Sequence, residues 1–196
     1  MKFKPSYTSS IAEDIMAERL IRAQAVEFLA DAPMRLKSGL ISPVYVDNRK
    51  LFSHPEAWRD IVETMASRVE EYDLEFDIVA GVEAAGSMHA AALAYRLGLP
   101  AIMVRQKAKT YGNHSRIEGG DVKGMRVLLL EDHISTGLSC LDAIRALRGE
   151  GAQVTQVMSI TNYAIPETQR LFKQEGIDTY DVIALKRWYE RPRKWV

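Results

Sequence analysis

The spacing of apolar positions changes near Asp77 and divides the chain into two parts. Before Asp77, apolar residues recur three and four positions apart, which predicts helices from Ser10 to about Asp31 and from Pro55 to Val69. Glu13 follows Ser10 at the spacing of a capping box. Between the two helices, residues 34–39 and 42–47 are short segments interrupted by glycine and proline, and we expect a hairpin-like pair of strands there.

After Asp77, short and nearly continuous apolar runs alternate with helical patterns. The runs predict buried strands at 77–82, 101–105, 126–131, 154–160 and 180–185. The segments between them predict helices at 87–97, 139–148 and 166–174. Apolar strands separated by helices are typical of a parallel sheet covered on both faces. We therefore expect an α/β fold with a central parallel sheet flanked by helices.

The strand predicted at 126–131 ends in two acids and leads into a loop of small polar residues. The acids are Glu131 and Asp132, and the loop with the helix start that follows contains Ser135, Thr136, Gly137, Leu138 and Ser139. Carboxylates can accept hydrogen bonds from the cis hydroxyls of a ribose, and hydroxyls with free N–H groups at a helix start can bind phosphate. The segment therefore predicts a ribose 5-phosphate site. The alternative is a helix capped by Ser139, with two solvated acids beside it.

Three loops follow predicted strands, and parallel strands bring such loops to one edge of the sheet. The first loop contains Glu83, Ala84, Ala85 and Gly86, and the third is the acidic and phosphate-binding segment 131–139. The second, residues 105–120, is called the basic loop here; Arg105, Lys107 and Lys109 alternate along it. It is either a solvated surface hairpin or a lid that carries cations onto a pyrophosphate.

Composition limits the class of protein. The 196 residues suffice for a single domain spanning 1–196, and 26 basic side chains balance 26 acidic ones, which argues against extensive nucleic-acid or membrane-surface binding. The single cysteine, Cys140, excludes an intrachain disulfide and a multi-cysteine metal site, and we expect it to pack in a helix. Without an apolar run of about 20 residues or a signal-like N-terminus, we expect a cytoplasmic protein.

Several separated blocks, in order, resemble the orotate phosphoribosyltransferases, a family of type I phosphoribosyltransferases. The blocks are Leu36-Lys37-Ser38-Gly39, Ser42-Pro43-Val44-Tyr45, Asp47-Asn48-Arg49, Tyr95 to Pro100, Val104 to Lys109 with Gly112, Ile117-Glu118-Gly119, and Glu131 to Gly137. The acidic and phosphate-binding block alone would support only the wider class. The block around Lys37 and the basic loop favour the orotate branch.

The resemblance implies a type I phosphoribosyltransferase fold in which residues 1–55 and the C-terminal segment form a small hood. It implies transfer of the phosphoribosyl group from phosphoribosyl pyrophosphate to orotate, giving orotidine 5′-phosphate and pyrophosphate in pyrimidine biosynthesis. It also implies Mg²⁺ held mainly by substrate oxygens and water, with Glu131 and Asp132 as candidate protein ligands. Finally, it implies a homodimer in which the basic loop closes over the neighbouring subunit's site.

The resemblance also implies a role for each matched residue. Arg105, Lys107 and Lys109 would meet the pyrophosphate, together with the loop of Glu83, Ala84, Ala85 and Gly86. Glu131 and Asp132 would hold the ribose hydroxyls, with Asp132 among the catalytic groups, and Ser135, Thr136, Gly137, Leu138 and Ser139 would bind the 5′-phosphate. Lys37, Tyr45 and Val46 would lie on the orotate side.

The chain departs from the family pattern at a few positions. Tyr111 replaces a histidine in the basic loop, Leu138 replaces a second glycine, and His133 stands where an apolar residue is usual. Glu83 would repel pyrophosphate unless it faces away from it or meets the metal. These departures leave open a related phosphoribosyltransferase acting on another base. A non-catalytic regulator that binds phosphoribosyl pyrophosphate, and a phosphoacceptor domain built on Asp132, are further alternatives.

Overall fold

The structure, a computed structural model, describes residues 8–29, 33–35, 39, 41–108 and 115–185. The chain divides into two compact units, Met1–Ile61 and Val62–Val196. The expectation of one phosphoribosyltransferase domain with a hood stays a prediction, and the C-terminal segment assigned to that hood lies largely outside the described residues. No helix in the described ranges has the length and apolar character needed to cross a membrane.

The first unit combines helices with short antiparallel strands. Its elements are α1 (Thr8–Arg22), β1 (Val26–Phe28), β2 (Met34–Arg35), β3 (Ile41–Ser42), β4 (Val44–Val46), a 3-10 helix (Asn48–Ser53) and the start of α2 (Pro55–Glu71). β1 pairs with β4, and β2 pairs with β3. The predicted pairing of residues 34–39 with 42–47 is therefore confirmed only in part. Ser42 pairs with Met34, whereas the rest of the second segment forms β4 and pairs with β1.

The prediction for the first helix is wrong at both ends. α1 begins at Thr8 rather than Ser10 and ends at Arg22 rather than Asp31. Gln24 has a left-handed φ of 54°, which ends the helix, and the N–H of Ala25 donates to the carbonyl of Leu20 at 2.8 Å. Val26 then pairs with Val46 in the antiparallel ladder, so tertiary pairing outweighs the helical spacing of Val26.

The second unit contains a sheet of six strands among the described residues, in the spatial order β10-β9-β8-β5-β6-β7. The strands are β5 (Ile78–Val82), β6 (Ala101–Val104), β7 (Ile117–Glu118), β8 (Arg126–Ile134), β9 (Gln153–Asn162) and β10 (Asp178–Ala184). All neighbouring pairs are parallel except β6 with the short edge strand β7. This confirms the predicted α/β class, although β7 was not predicted.

Helices cover both faces of this sheet. They are α3 (Ala85–Leu97), α4 (Leu138–Gly149) and α5 (Pro166–Gln174). Ile144 of α4 and Phe172 of α5 are buried in one cluster with Ala80 and Leu129 of the sheet. Gly81 points to the opposite face, where a Cβ atom would lie 2.3 Å from Cα of Ser87 in α3. Glycine is thus required where α3 lies directly on β5.

The strand β8 is longer than predicted, and this changes the position of the acids. It continues to Ile134 instead of ending at Glu131, because His133 and Ile134 pair with Thr161 and Asn162 of β9. Glu131 and Asp132 therefore belong to the last, carboxyl-terminal part of the strand.

Candidate active site

Two carboxyl groups lie side by side near the end of β8. Glu131 is buried, with 7% of its surface exposed, and its Oε1 accepts a hydrogen bond from the backbone N–H of Asp132 at 3.2 Å. Burial, reinforced by the charge of Asp132, raises the pKa of Glu131 to about 9. At neutral pH the Glu131 and Asp132 carboxyl groups therefore hold one proton between them, so together they offer a hydrogen-bond donor as well as acceptors.

The start of α3 packs against Glu131. A Cβ atom at Gly86 would lie 2.7 Å from the carbonyl oxygen of Leu130 and 3.3 Å from Oε1 of Glu131. Any side chain at this position would push the helix away from β8. Gly86 thus brings the loop after β5 directly beside the acids of β8, as expected for loops that meet at one edge of the sheet.

The segment predicted to bind phosphate turns at Gly137, which adopts a left-handed φ of 73° immediately before α4. The Thr168 hydroxyl of α5 donates to the carbonyl of Ser135 at 2.9 Å and thereby links the turn to α5. The N–H groups of a first helical turn have no intrahelical acceptor, so the start of α4 offers them to an anion. This geometry suits a phosphate group.

Leu138 and Ser139 both lie in the first turn of α4. Leu138 is the first residue of the helix and is 63% exposed, so a leucine fits there without a left-handed conformation. Ser139 is the second residue of the helix, and Gly137 occupies the cap position with no side-chain hydrogen bond. The alternative in which Ser139 caps the helix is therefore wrong.

The loop after β5 is a tight turn. Ala84 precedes α3, Ala85 is its first residue, and the Glu83–Ala84 peptide bond is cis. The hydroxyl of Ser87 donates to the carbonyl of Gly81 at 3.1 Å and ties the helix to the strand. All four residues predicted for the pyrophosphate loop, Glu83 to Gly86, thus lie at the carboxyl end of β5.

The structure describes the two ends of the basic loop, residues 105–108 and 115–120. The backbone N–H of Arg105 donates to the carbonyl of Arg116, and the Arg105 guanidinium pairs with the carboxylate of Glu118 at 2.9 Å. Arg116 bonds the carbonyl of Arg105 and pairs with Asp142 of α4. Lys107 is exposed, so Arg105 and Lys107 differ in environment despite their alternation. Lys109 and Tyr111 lie outside the described residues.

Proteins of known family resemble this chain over most of its length. The phosphoribosyl transferase domain family matches residues 47–187 of the chain. The orotate phosphoribosyltransferase of Coxiella burnetii is 44% identical over 165 residues, which are 84% of this chain and 79% of that protein. This chain belongs to the orotate phosphoribosyltransferase family.

Solved structures place the fold in the same group. The orotate phosphoribosyltransferase of Aeropyrum pernix superimposes with a TM-score of 0.80 at 28% identity, over 92% of this chain and 99% of that chain. UMP synthase of Leishmania donovani gives a TM-score of 0.79 at 27% identity, over 94% of this chain but only 39% of that larger chain. The type I phosphoribosyltransferase fold predicted from the sequence is confirmed.

The residues that this family resemblance assigns to orotate lie in the first unit. Lys37 lies outside the described residues. Tyr45 is half-buried and Val46 is buried, and both belong to β4. Tyr45 and Val46 are successive residues of this strand, and their role beside orotate stays a prediction.

Polar side chains on the strands beside β8 were not predicted. Nδ1 of His133 lies 2.9 Å from the hydroxyl of Thr161, and the His133 ring meets Tyr163 edge to face at 4.6 Å. Burial lowers the pKa of His133 to about 4, so the ring is neutral at physiological pH. This explains how an orotate phosphoribosyltransferase accommodates histidine where an apolar residue is usual.

A second polar group lies one strand further along. Asp181 of β10 accepts hydrogen bonds from the Ser159 hydroxyl at 2.6 Å and from the Asn162 amide at 3.0 Å. The sequence feature that could have predicted this group is the occurrence of Ser159, Thr161 and Asn162 in the otherwise apolar strand β9. Cys140 is buried in α4, and burial raises the pKa of its thiol, which confirms the expected packing role.

Proposed function

We propose that this protein transfers the 5-phosphoribosyl group from phosphoribosyl pyrophosphate to orotate, releasing pyrophosphate and forming orotidine 5′-phosphate. The observation that carries the proposal is the end of β8. There Glu131 and Asp132 lead through Ser135 and the left-handed Gly137 into the first turn of α4. Carboxyl groups suited to a ribose and N–H donors suited to its phosphate therefore lie on one short segment, which supports the proposal.

The acids and the phosphate loop would hold the sugar. With one proton between them, Glu131 and Asp132 match ribose hydroxyls, each of which both donates and accepts hydrogen bonds. The 5′-phosphate would lie at the start of α4, among Ser135, Thr136, Gly137, Leu138 and Ser139. Binding both ends of the sugar fixes the position of its C1 atom, and orientation of this kind lowers the activation barrier.

The cations of the basic loop would act on the leaving group. Negative charge accumulates on the pyrophosphate as its bond to the ribose breaks, so a cation beside it stabilises the transition state more than the bound substrate. Lys107 is exposed at the start of the loop, close in sequence to Arg105, whose guanidinium is half-buried beside Glu118. We assign this role to Lys107, Arg105 and Lys109.

We propose Mg²⁺ as the metal ion of the reaction. Mg²⁺ prefers oxygen ligands and is commonly bound by one or two carboxylates together with substrate phosphates and water. Glu131 and Asp132 supply adjacent carboxyl oxygens, which would fit this pattern once Mg²⁺ displaces the proton that the pair holds. Within the described ranges, no group of three or more potential metal-ligating side chains is present. When bound, the ion would help to neutralise the departing pyrophosphate.

We also propose a homodimer that shares the basic loop, residues 105–120. One support is the exposed side of α3, where Tyr95 is 91% exposed and Met88 is 47% exposed. Ala91 lies between them at helical spacing and is also exposed. Large exposed apolar side chains on one helix face are a common feature of protein interfaces. Cytoplasmic location and the absence of nucleic-acid and membrane partners stay predictions.

The test is consumption of orotate, followed by its ultraviolet absorbance, with phosphoribosyl pyrophosphate and Mg²⁺. We expect turnover that stops when the metal is omitted or chelated. Asp132→Asn should weaken binding of phosphoribosyl pyrophosphate in calorimetric titration, because it removes a charged acceptor from the ribose. Turnover without added or residual metal would contradict the Mg²⁺ proposal.

A related enzyme acting on another base is the second candidate. It is favoured by Glu83 and Ala84 in the turn after β5, where relatives more often carry other residues, and by Tyr111 in the basic loop. A panel of pyrimidine and purine bases separates the two candidates. Turnover confined to orotate would exclude the second candidate, whereas faster turnover of another base would replace the first.

A further inference from the structure

Two hydrogen bonds join the two loops that the family resemblance assigns to the pyrophosphate. The backbone N–H of Gln106 donates to Oε2 of Glu83 at 3.0 Å. The side-chain amide of Gln106 donates to the backbone carbonyl of Glu83 at 3.1 Å. Each residue therefore contributes one backbone group and one side chain, so the contact fixes the chain path of both loops.

This contact brackets Arg105. The N–H of Glu83 donates to the carbonyl of Val104 at 2.9 Å, and the carboxylate of Glu83 accepts from the N–H of Gln106. Glu83 thus bonds to the residue before Arg105 and to the residue after it. The starting point of the basic loop is set by the turn after β5.

The contact also explains why an acid is tolerated in a loop expected to meet pyrophosphate. A carboxylate facing that ligand would repel it, whereas a carboxylate bonded to a backbone N–H is directed toward the protein chain. The Glu83 side chain is half-buried in this position, and Gln106 is exposed above it. The charge of Glu83 is thus used to hold the chain.

We propose that Glu83 is a positioning residue that, together with Gln106, holds the base of the basic loop against the turn after β5. The backbone positions of Arg105 and Lys107, from which their side chains would reach the pyrophosphate, are then fixed. This inference rests on the proposed function, because it assigns the loop's cations to that leaving group. Glu83 acts through the backbone of Gln106 and not by contact with the reacting atoms.

A set of four variants tests the proposal. Glu83→Ala removes the acceptor, Glu83→Gln keeps an oxygen acceptor but removes the charge, and Gln106→Ala removes only the side-chain bond. Glu150→Ala, at an exposed glutamate after the last turn of α4, is the matched control. The readouts are kcat, the KM of each substrate, the thermal midpoint, and calorimetric binding of phosphoribosyl pyrophosphate.

We expect Glu83→Ala to weaken binding of phosphoribosyl pyrophosphate about threefold to tenfold, the effect of losing one hydrogen bond. The KM of orotate and the thermal midpoint should stay near those of Glu150→Ala. Glu83→Gln should restore binding, and Gln106→Ala should act in the same direction as Glu83→Ala. Because the two residues share one contact, their double variant should lose less than the sum of the single losses.

Two results would overturn the proposal. Equal losses in Glu83→Gln and Glu83→Ala would mean that the charge itself is needed, as for a metal ligand or a base. A change of thermal midpoint without any change in binding would mean a purely structural role. If the wild-type protein consumed no orotate, the proposed function would fail. Binding of phosphoribosyl pyrophosphate to the variants would still decide the role of Glu83. If the wild-type protein did not bind phosphoribosyl pyrophosphate, both the proposed function and the role of Glu83 would be rejected.

Discussion

Gly137, in the segment predicted to bind phosphate, lies directly against the ring of Phe172 in α5. A Cβ atom on Gly137 would come within 2.9 Å of Cζ of Phe172 and of Cγ2 of Thr168. Gly137 also has a left-handed φ of 73°. Two independent constraints, backbone conformation and close packing, therefore require glycine at the turn where we place the phosphate.

We expect Gly137→Ala to destabilise the fold and to weaken substrate binding together. A left-handed alanine costs about 1–2 kcal/mol, and overpacking against α5 adds about 1–3 kcal/mol. The displaced turn would misalign the N–H groups at the start of α4. Chemical denaturation measures the first effect, and calorimetric titration with phosphoribosyl pyrophosphate measures the second.

Gly149→Ala is the control for that substitution. Gly149 ends the same helix, its φ is not positive, and a Cβ atom added to it would have no neighbour within 4 Å. Alanine there should leave binding unchanged and stability equal or slightly higher. Unchanged binding of phosphoribosyl pyrophosphate in Gly137→Ala would show that the phosphate lies elsewhere.

The buried acid Glu131 should make stability depend on pH. Its pKa is raised from 4.5 to about 9, so between these pH values the folded state holds a proton that the unfolded state releases. Stability from this group is therefore greatest at low pH and falls as pH rises through this window. Glu131→Gln should have a thermal midpoint that declines less steeply than that of the wild type.

The control for that experiment is Glu150→Gln, which changes an exposed glutamate after the last turn of α4. Its curve of thermal midpoint against pH should run parallel to that of the wild type. Parallel curves for Glu131→Gln and the wild type would mean that Glu131 is ionised in the folded protein. The acids would then offer only acceptors to the ribose.

The lysines of the basic loop should affect catalysis more than folding. Lys107 is exposed, so Lys107→Ala removes a cation without opening a cavity. We expect a loss in kcat of up to about a hundredfold for Lys107→Ala, and a loss of similar or greater size for Lys109→Ala. Steady-state kinetics checks this, with Lys173→Ala on α5 as the exposed control. Wild-type kcat in both loop variants would contradict the role assigned to the loop.

The exposed face of α3 gives a prediction for assembly. Replacing Tyr95, which is 91% exposed, with aspartate should convert the proposed dimer into monomers, whereas Tyr95→Phe should leave it intact. Sedimentation velocity measures the result directly. If the dimer persists in Tyr95→Asp, this face of α3 is not the interface.

The second unit was largely predictable because its strands are continuous apolar runs. The runs at 78–82 and 101–104 became β5 and β6, and their parallel pairing brought the predicted loops to one edge. The turn at Gly137 was also predictable, because a glycine between hydroxyl residues and the start of a helical pattern is a feature of the local sequence. These features depend on residues close together in sequence.

Other features depend on partners that are distant in sequence. α1 ends at Arg22 because β1 pairs with β4. The helical spacing of apolar residues up to Val26 does not indicate that pairing. The bond between Glu83 and Gln106 joins residues in two separate loops. Thr161, which lies beside His133, is likewise 28 positions away in the chain. Only the folded sheet brings such residues together.

The contact of Gly81 with Ser87 has a consequence for how this protein can vary. Because β5 and α3 touch backbone to backbone at this point, the turn between them has no spare length. An inserted residue there would have to separate helix from strand, and with them Gly86 from Glu131. Insertions in the turn after β5 should therefore be poorly tolerated, which a library of single-residue insertions across β5 and α3 would reveal.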